Sequence, residues 1–136
     1  MPKTLIRHRK AEEPEDPNVV WTEKELQATI RAAAADCGWL YYHTQVSLYS
    51  ARGFPDLVLC KPPRLLLVEL KGPKGQPTPA QITWLTLLSQ VPHVETLLIY
   101  PEDLEIMYKI LLGQANDKDM SALRANQAAR PILPSA

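Results

Sequence analysis

Hydrophobic and polar positions along the chain switch between two periods, and the switches mark the elements. Leu26, Ile30, Ala33 and Ala34 recur at helical spacing. Thr22 followed by Glu25 forms a capping-box pattern just ahead of that run, and Gly38 just after it is a helix stop. The spacing predicts a helix over 23–37. Residues 39–46, rich in aromatic side chains, read as a strand, and 47–54 as a loop carrying Arg52 and Gly53. A short apolar strand follows over 55–60, then a turn over 61–64. Residues 65–71 form a run apolar on both faces, the pattern of a central buried strand.

Residues 72–79 hold two glycines and three prolines and form a loop. A helix is predicted over 80–90, with Ile82, Leu85 and either Leu88 or Ser89 facing inward. A last strand covers 94–100. Pro101 opens a final helix, with Glu102, Asp103 and Glu105 suited to its N-terminal dipole, and Gly113 ends it. The order α-β-β-β-α-β-α predicts an α/β domain built on a central four-stranded mixed sheet flanked by helices. Residues 1–20, polar and holding Pro2, Pro14 and Pro17, read as a flexible arm. The folded domain spans 21–113, and 114–136 read as a tail ending in Pro131-Ile132-Leu133-Pro134.

Composition adds limits. The chain has 136 residues, enough for one ordinary domain. Hydrophobic residues are 46% and charged residues 22%, a globular balance without an apolar run long enough to span a membrane or form a secretory signal. A cytoplasmic location is expected. Cys37 and Cys60 are too sparse for a zinc site and read as free thiols. Net charge is zero, which argues against a nucleic-acid partner until its distribution is considered. Between residues 38 and 94, Arg52, Lys61, Arg64, Lys71 and Lys74 stand against only Asp56 and Glu69, a local +3. Chance in a short window is one reading. The other is a phosphate-facing surface that keeps two acids for a metal.

Asp56 heads one predicted strand, and Glu69 and Lys71 end the next. Residues two apart on a strand share a face, so Glu69 and Lys71 project together. A hairpin around residues 61–64 brings Asp56 opposite Glu69. Two carboxylates there make an oxygen-rich pocket suited to Mg²⁺ or Mn²⁺. The alternative for Glu69 and Lys71 is an ion pair emerging at a sheet edge. That alternative weakens because Pro55-Asp56 sits at hairpin distance and a glycine-containing loop follows directly.

Pro55-Asp56, twelve intervening residues and Glu69-Leu70-Lys71 resemble the PD-(D/E)xK nuclease signature. More narrowly, Gly53-Phe54-Pro55-Asp56, Val68-Glu69-Leu70-Lys71 and the helix carrying Gln81 and Trp84 resemble the VRR-NUC (virus-type replication–repair nuclease) family. Glu23 to Gln27 and Gly38-Trp39 are similar as well, so the resemblance covers about residues 22–100. Small size is similar to the stand-alone phage and bacterial members.

The resemblance implies a restriction-endonuclease-like core and a metal-dependent DNA endonuclease. Asp56, Glu69 and the Leu70 carbonyl would hold the metal, and Lys71 would orient the attacking water or stabilise phosphate charge. An acid of the first helix would complete the site. Glu23 and Glu25 compete for that role; helical spacing puts Glu23 with Leu26, Gln27 and Ile30 and favours it, while Glu25 can serve the cap. Gln81 would lie near the site, bonded to a metal water or a phosphate. Trp84 reads as core more than as a DNA-stacking residue. Arg52, Lys74 and His43 are candidate DNA contacts, each with a solvated or structural reading beside it. Branched DNA, four-way junctions above all, and a homodimer are the implied partners. The helix from Pro101 and the apolar Ile132-Leu133 are the candidate dimer surfaces.

Overall fold

The computed structural model describes residues 21–45 and 49–128. Thr22 and Glu25 form the expected reciprocal cap, and helix α1 runs Glu23–Asp36. It buries Leu26, Ile30, Ala33 and Ala34. Gly38 follows at φ +83°, the left-handed conformation that a helix C-terminus favours and that glycine adopts without a Cβ penalty.

Strand β1 covers Leu40–His43, β2 Leu57–Lys61 and β3 Arg64–Leu70. Helix α2 (Pro79–Leu88) then crosses to β4 (Glu95–Ile99). The sheet order is β1-β2-β3-β4, antiparallel for the first two pairs and parallel for β3 with β4. This is the mixed four-stranded α/β sheet that the hydrophobic pattern predicts. A 3₁₀ turn over Pro101–Asp103 leads into α3 (Leu104–Leu111), and α4 spans Asp117–Ala128.

The two faces of the sheet differ. Leu57, Leu59, Leu66, Val68, Leu70, Leu97 and Ile99 point to one side and form the main core with α1 and α3. Trp39 anchors the rim of that core, its indole N–H donating to the Leu111 carbonyl at 2.9 Å. The Arg64 guanidinium lies over the Trp39 ring and forms a paired hydrogen bond to Glu95 at 2.8 and 2.6 Å. The other face carries Leu67, Glu69, Leu98 and Tyr100, and α2 lies over part of it. Here Leu85 is buried, Ile82 and Leu88 are half-buried, and Ser89 is exposed.

Two expectations need correction. Strand β1 is shorter than 39–46, because Trp39 turns into the core and Thr44 already leaves the ladder to bond Asp56. Residues 114–128 do not form a polar tail. Asn116 and Asp119 cap each other's backbone N–H groups at 2.8 and 3.1 Å, Lys109 Nζ lies 3.3 Å from Asp119, and Leu123 is buried to 1% exposure. These contacts fasten α4 to α3, so the domain extends past Gly113. Helix α3, a candidate dimer surface, buries Leu104, Met107, Tyr108, Ile110 and Leu111 in the chain's own core and leaves Glu105, Ile106 and Lys109 on its outer side. Ile132 and Leu133 lie outside the described residues, as do 1–20. No helix among the described residues is long and apolar enough to cross a membrane. Cys37 and Cys60 are both free thiols.

Candidate metal and phosphodiester site

The β2–β3 register pairs Leu57 with Val68, so Asp56, one residue earlier, stands opposite Glu69. Strand alternation puts Asp56, Glu69 and Lys71 on the same face, the one that α2 partly covers. Asp56 is held from two sides. Its Oδ2 accepts the Leu70 N–H at 2.8 Å, and its carbonyl accepts the Thr44 N–H at 2.8 Å.

Glu69 is 0% exposed. Its Oε1 accepts a hydrogen bond from Gln81 Nε2 at 3.1 Å and lies 3.8 Å from Lys71 Nζ. Its Oε2 is buried and meets no donor group, and the protonated carboxyl hydrogen-bonds to Asp56. Burial first, and the adjacent Asp56 carboxyl second, push the Glu69 pKa up to about 9; the Lys71 ammonium opposes them, and Glu23 adds a smaller push upward. A carboxyl in that state keeps its proton at neutral pH unless a cation takes the proton's place.

Glu23 sits at the first turn of α1, whose N-terminus approaches the end of β3. A Cβ placed on Gly72 would lie 3.7 Å from the Glu23 nitrogen. The Glu23 pKa is raised by partial desolvation and then by the Asp56 charge, against the pull of Lys71. Glu25 is spent on the cap, its Oε2 accepting the Thr22 N–H at 2.9 Å. Of the two acids, Glu23 is therefore the one electrostatically joined to the site.

Gln81 has two tasks. Its Oε1 accepts the Thr78 N–H at 2.8 Å, closing the α2 capping box, while its amide nitrogen reaches Glu69. The loop before Asp56 is locked onto this same turn. Gly53 has φ +92°, and a Cβ there would come within 2.5 Å of the Ala80 backbone. Only glycine fits. Trp84 donates its indole N–H to the Arg52 carbonyl at 3.1 Å and meets the Phe54 ring edge-on, 5.1 Å between centroids.

These contacts frame a cleft of about 800 Å³ beside Asp56. Tyr42, Thr44, Arg52, Phe54, Gln81 and Trp84 are among its walls. Trp84, expected as core, is instead half-buried in the cleft wall. Tyr42, Thr44 and Phe54 were not legible as site residues, because their placement depends on how β1 and the 49–56 loop pair with distant elements.

The remaining candidates are dispersed. Arg52 is exposed at the cleft. Lys74 is exposed on the 72–77 loop, which Tyr100 ties down by donating its hydroxyl to the Gly75 carbonyl at 2.8 Å. His43 does not join the carboxylates. It pairs with Leu57 and so faces α1, where it shares a shallow groove with Lys24, Gln27 and Arg31. One residue of strand offset sends it to the opposite side of the sheet.

Of the expected ligands, Asp56 and Glu69 face each other across β2 and β3, Leu70 meets Asp56 through its N–H, and Glu23 is coupled to Asp56 and Lys71 by charge. Among the described residues, no group of three or more His, Cys, Asp or Glu side chains is placed to hold a metal ion, so Glu23 does not complete a cluster with Asp56 and Glu69. An open pair of carboxylates still suits Mg²⁺, which keeps several waters and is commonly held by one or two carboxylates plus substrate phosphates. The fully buried Glu69 carboxyl beside Asp56 fits the same chemistry. No protein-family model, curated protein or solved structure matches this chain.

Proposed function

We propose that this chain is a metal-dependent DNA endonuclease that hydrolyses phosphodiester bonds. The reading is of a structure-specific enzyme of the junction-resolvase kind, acting on branched DNA in replication, recombination or repair. One observation carries it: Asp56, Glu69 and Lys71 converge on one sheet face, with the buried Glu69 carboxyl held against the Asp56 carboxyl. Burying two carboxyls side by side is costly unless a proton or a cation lies between them, and a structural ion pair does not need it.

Asp56, Glu69 and the Leu70 carbonyl would hold Mg²⁺ or Mn²⁺, which supplies phosphate polarisation and a lowered pKa for water. The chain's own groups do the rest. Gln81 and Lys71 fix the Glu69 carboxyl from two directions. The Lys71 ammonium, facing the same side, orients the attacking water and offsets the charge that grows on the phosphate. Glu23 lies where a second water or a second cation can be held. Symmetric cutting of a junction needs two such sites related by a two-fold axis, hence a homodimer.

The test is cleavage of labelled four-way junction, flap and linear duplex DNA with Mg²⁺ or Mn²⁺, wild type beside Lys71→Ala. Junction cutting that falls at least about 100-fold in the variant supports the reading, since a lost charge stabiliser costs on that order. Cutting of duplex or flap alone keeps the chemistry and replaces the resolvase with a nicking or restriction-like nuclease. Binding without cutting turns the protein into a non-catalytic DNA-binding module.

A further inference from the structure

The cleft beside Asp56 is larger and more aromatic than hydrolysis of a phosphodiester requires. We infer that it holds an unpaired nucleotide next to the scissile phosphate, with the base stacked on its ring side chains; this rests on the nuclease reading. Its volume of about 800 Å³ lies within the roughly 300–1,000 Å³ of pockets that enclose one small ligand. A nucleotide fits that space, and a base stacks on its rings only once it is out of a duplex.

The lining matches a base. Tyr42, Phe54 and Trp84 present three rings, and a ring accepts any base because every base has a π face. Two of the rings are fixed in advance. Trp84 is pinned by its bond to the Arg52 carbonyl, and Phe54 is wedged edge-on against it. Little ordering cost remains when a base arrives. Tyr42 is 61% exposed, a large ring that the fold does not bury.

The charges match a nucleotide too. Arg52 stands exposed at the cleft for the phosphodiester, and the first turn of α2 closes another wall with its positive end. Asp56 is the only acid among the lining residues. The Thr44 N–H bond to the Asp56 carbonyl makes this wall continuous with the carboxylate site, so a base in the cleft sets the position of the adjoining phosphate. The substrate class that follows is DNA with an unpaired nucleotide at the cut: a flap base, a junction centre or a single strand.

Binding is tested in EDTA, which separates it from catalysis. The probes are labelled oligothymidylate and a blunt duplex of the same length. The single strand should bind at least about tenfold more tightly than the duplex, and it should quench a component of the tryptophan emission that Trp84→Phe lacks. Tyr42→Ala, at an exposed position, should weaken single-strand binding about tenfold without changing the melting temperature; Phe54→Leu, which keeps apolar volume, should do likewise. Equal or tighter duplex binding, no single-strand binding, or unchanged affinity in both variants overturns the inference. Loss of cleavage with the single-strand preference intact removes only the nuclease reading. Cleavage of blunt duplex without the preference removes only the cleft.

Discussion

Glu69→Gln should make the metal-free protein more stable at neutral pH while abolishing activity. The substitution keeps shape and keeps an acceptor for Gln81 Nε2, but removes the titration. Glu69 has a pKa near 9 in the folded chain, against 4.5 as the ordinary value. The folded pKa is raised, so the protonated carboxyl's contribution to stability is fully present below about 4.5. It is lost as pH rises toward 9. Each unit in that window costs about 1.4 kcal/mol, so between pH 4.5 and pH 7 the wild type gives up about 3 kcal/mol. Lys71, 3.8 Å away, already lowers that pKa and faces a neutral carboxyl in wild type and variant alike at pH 7, so the gain stays at about 3 kcal/mol. The assay is urea denaturation in EDTA at several pH values, reading the difference between variant and wild type so that other titrations cancel. That difference should grow steadily from pH 5 to pH 8. Adding Mg²⁺ should then stabilise the wild type and leave the variant unchanged, by linkage. A difference that stays flat with pH would refute the reasoning, since it would mean that burial does not hold the Glu69 proton.

Other outcomes follow from the same geometry. Gly53→Ala should cost more than about 2 kcal/mol in thermal melts, because its φ of +92° and the Ala80 backbone leave no room for a methyl group. Gln81→Glu should preserve α2, since a carboxylate still accepts the Thr78 N–H, yet lower cleavage sharply by replacing the donor to Glu69 with a like charge. Circular dichroism beside nuclease assays separates the two effects. Leu123→Ala should cost about 2–4 kcal/mol in chemical denaturation, which a solvated tail would not show.

What was legible in the sequence was whatever local chemistry enforces. The Thr22–Glu25 cap, the glycine stop at Gly38 and the doubly apolar β3 each follow from a few adjacent residues. The meeting of Asp56 with Glu69 followed as well, because a hairpin's turn sets its register. Residues whose place depends on distant pairing were not legible. His43 looked like a neighbour of the site, but β1 pairs with β2 in a register that turns it to α1. Trp84 looked like core because its helix is largely apolar, and it is the 49–56 loop, held to α2 through Gly53, Arg52 and Phe54, that makes it a cleft wall. The helix of 117–128 was hidden because it is polar overall and depends on one deeply set leucine and a cap for its attachment.

The hydrogen bonds of the two carboxyls have a thermodynamic consequence. Asp56 has given one oxygen to the Leu70 N–H, and Glu69 has given one to Gln81. Each therefore offers a single oxygen, and an octahedral ion seated there draws most of its ligands from water and from the substrate's own phosphate. Ion and DNA then reinforce each other's binding, and by reciprocity the same factor that tightens the ion on the complex tightens the DNA on the charged site. On the nuclease reading, the ion would bind the free protein weakly and more tightly once a nucleic acid brings the missing oxygens.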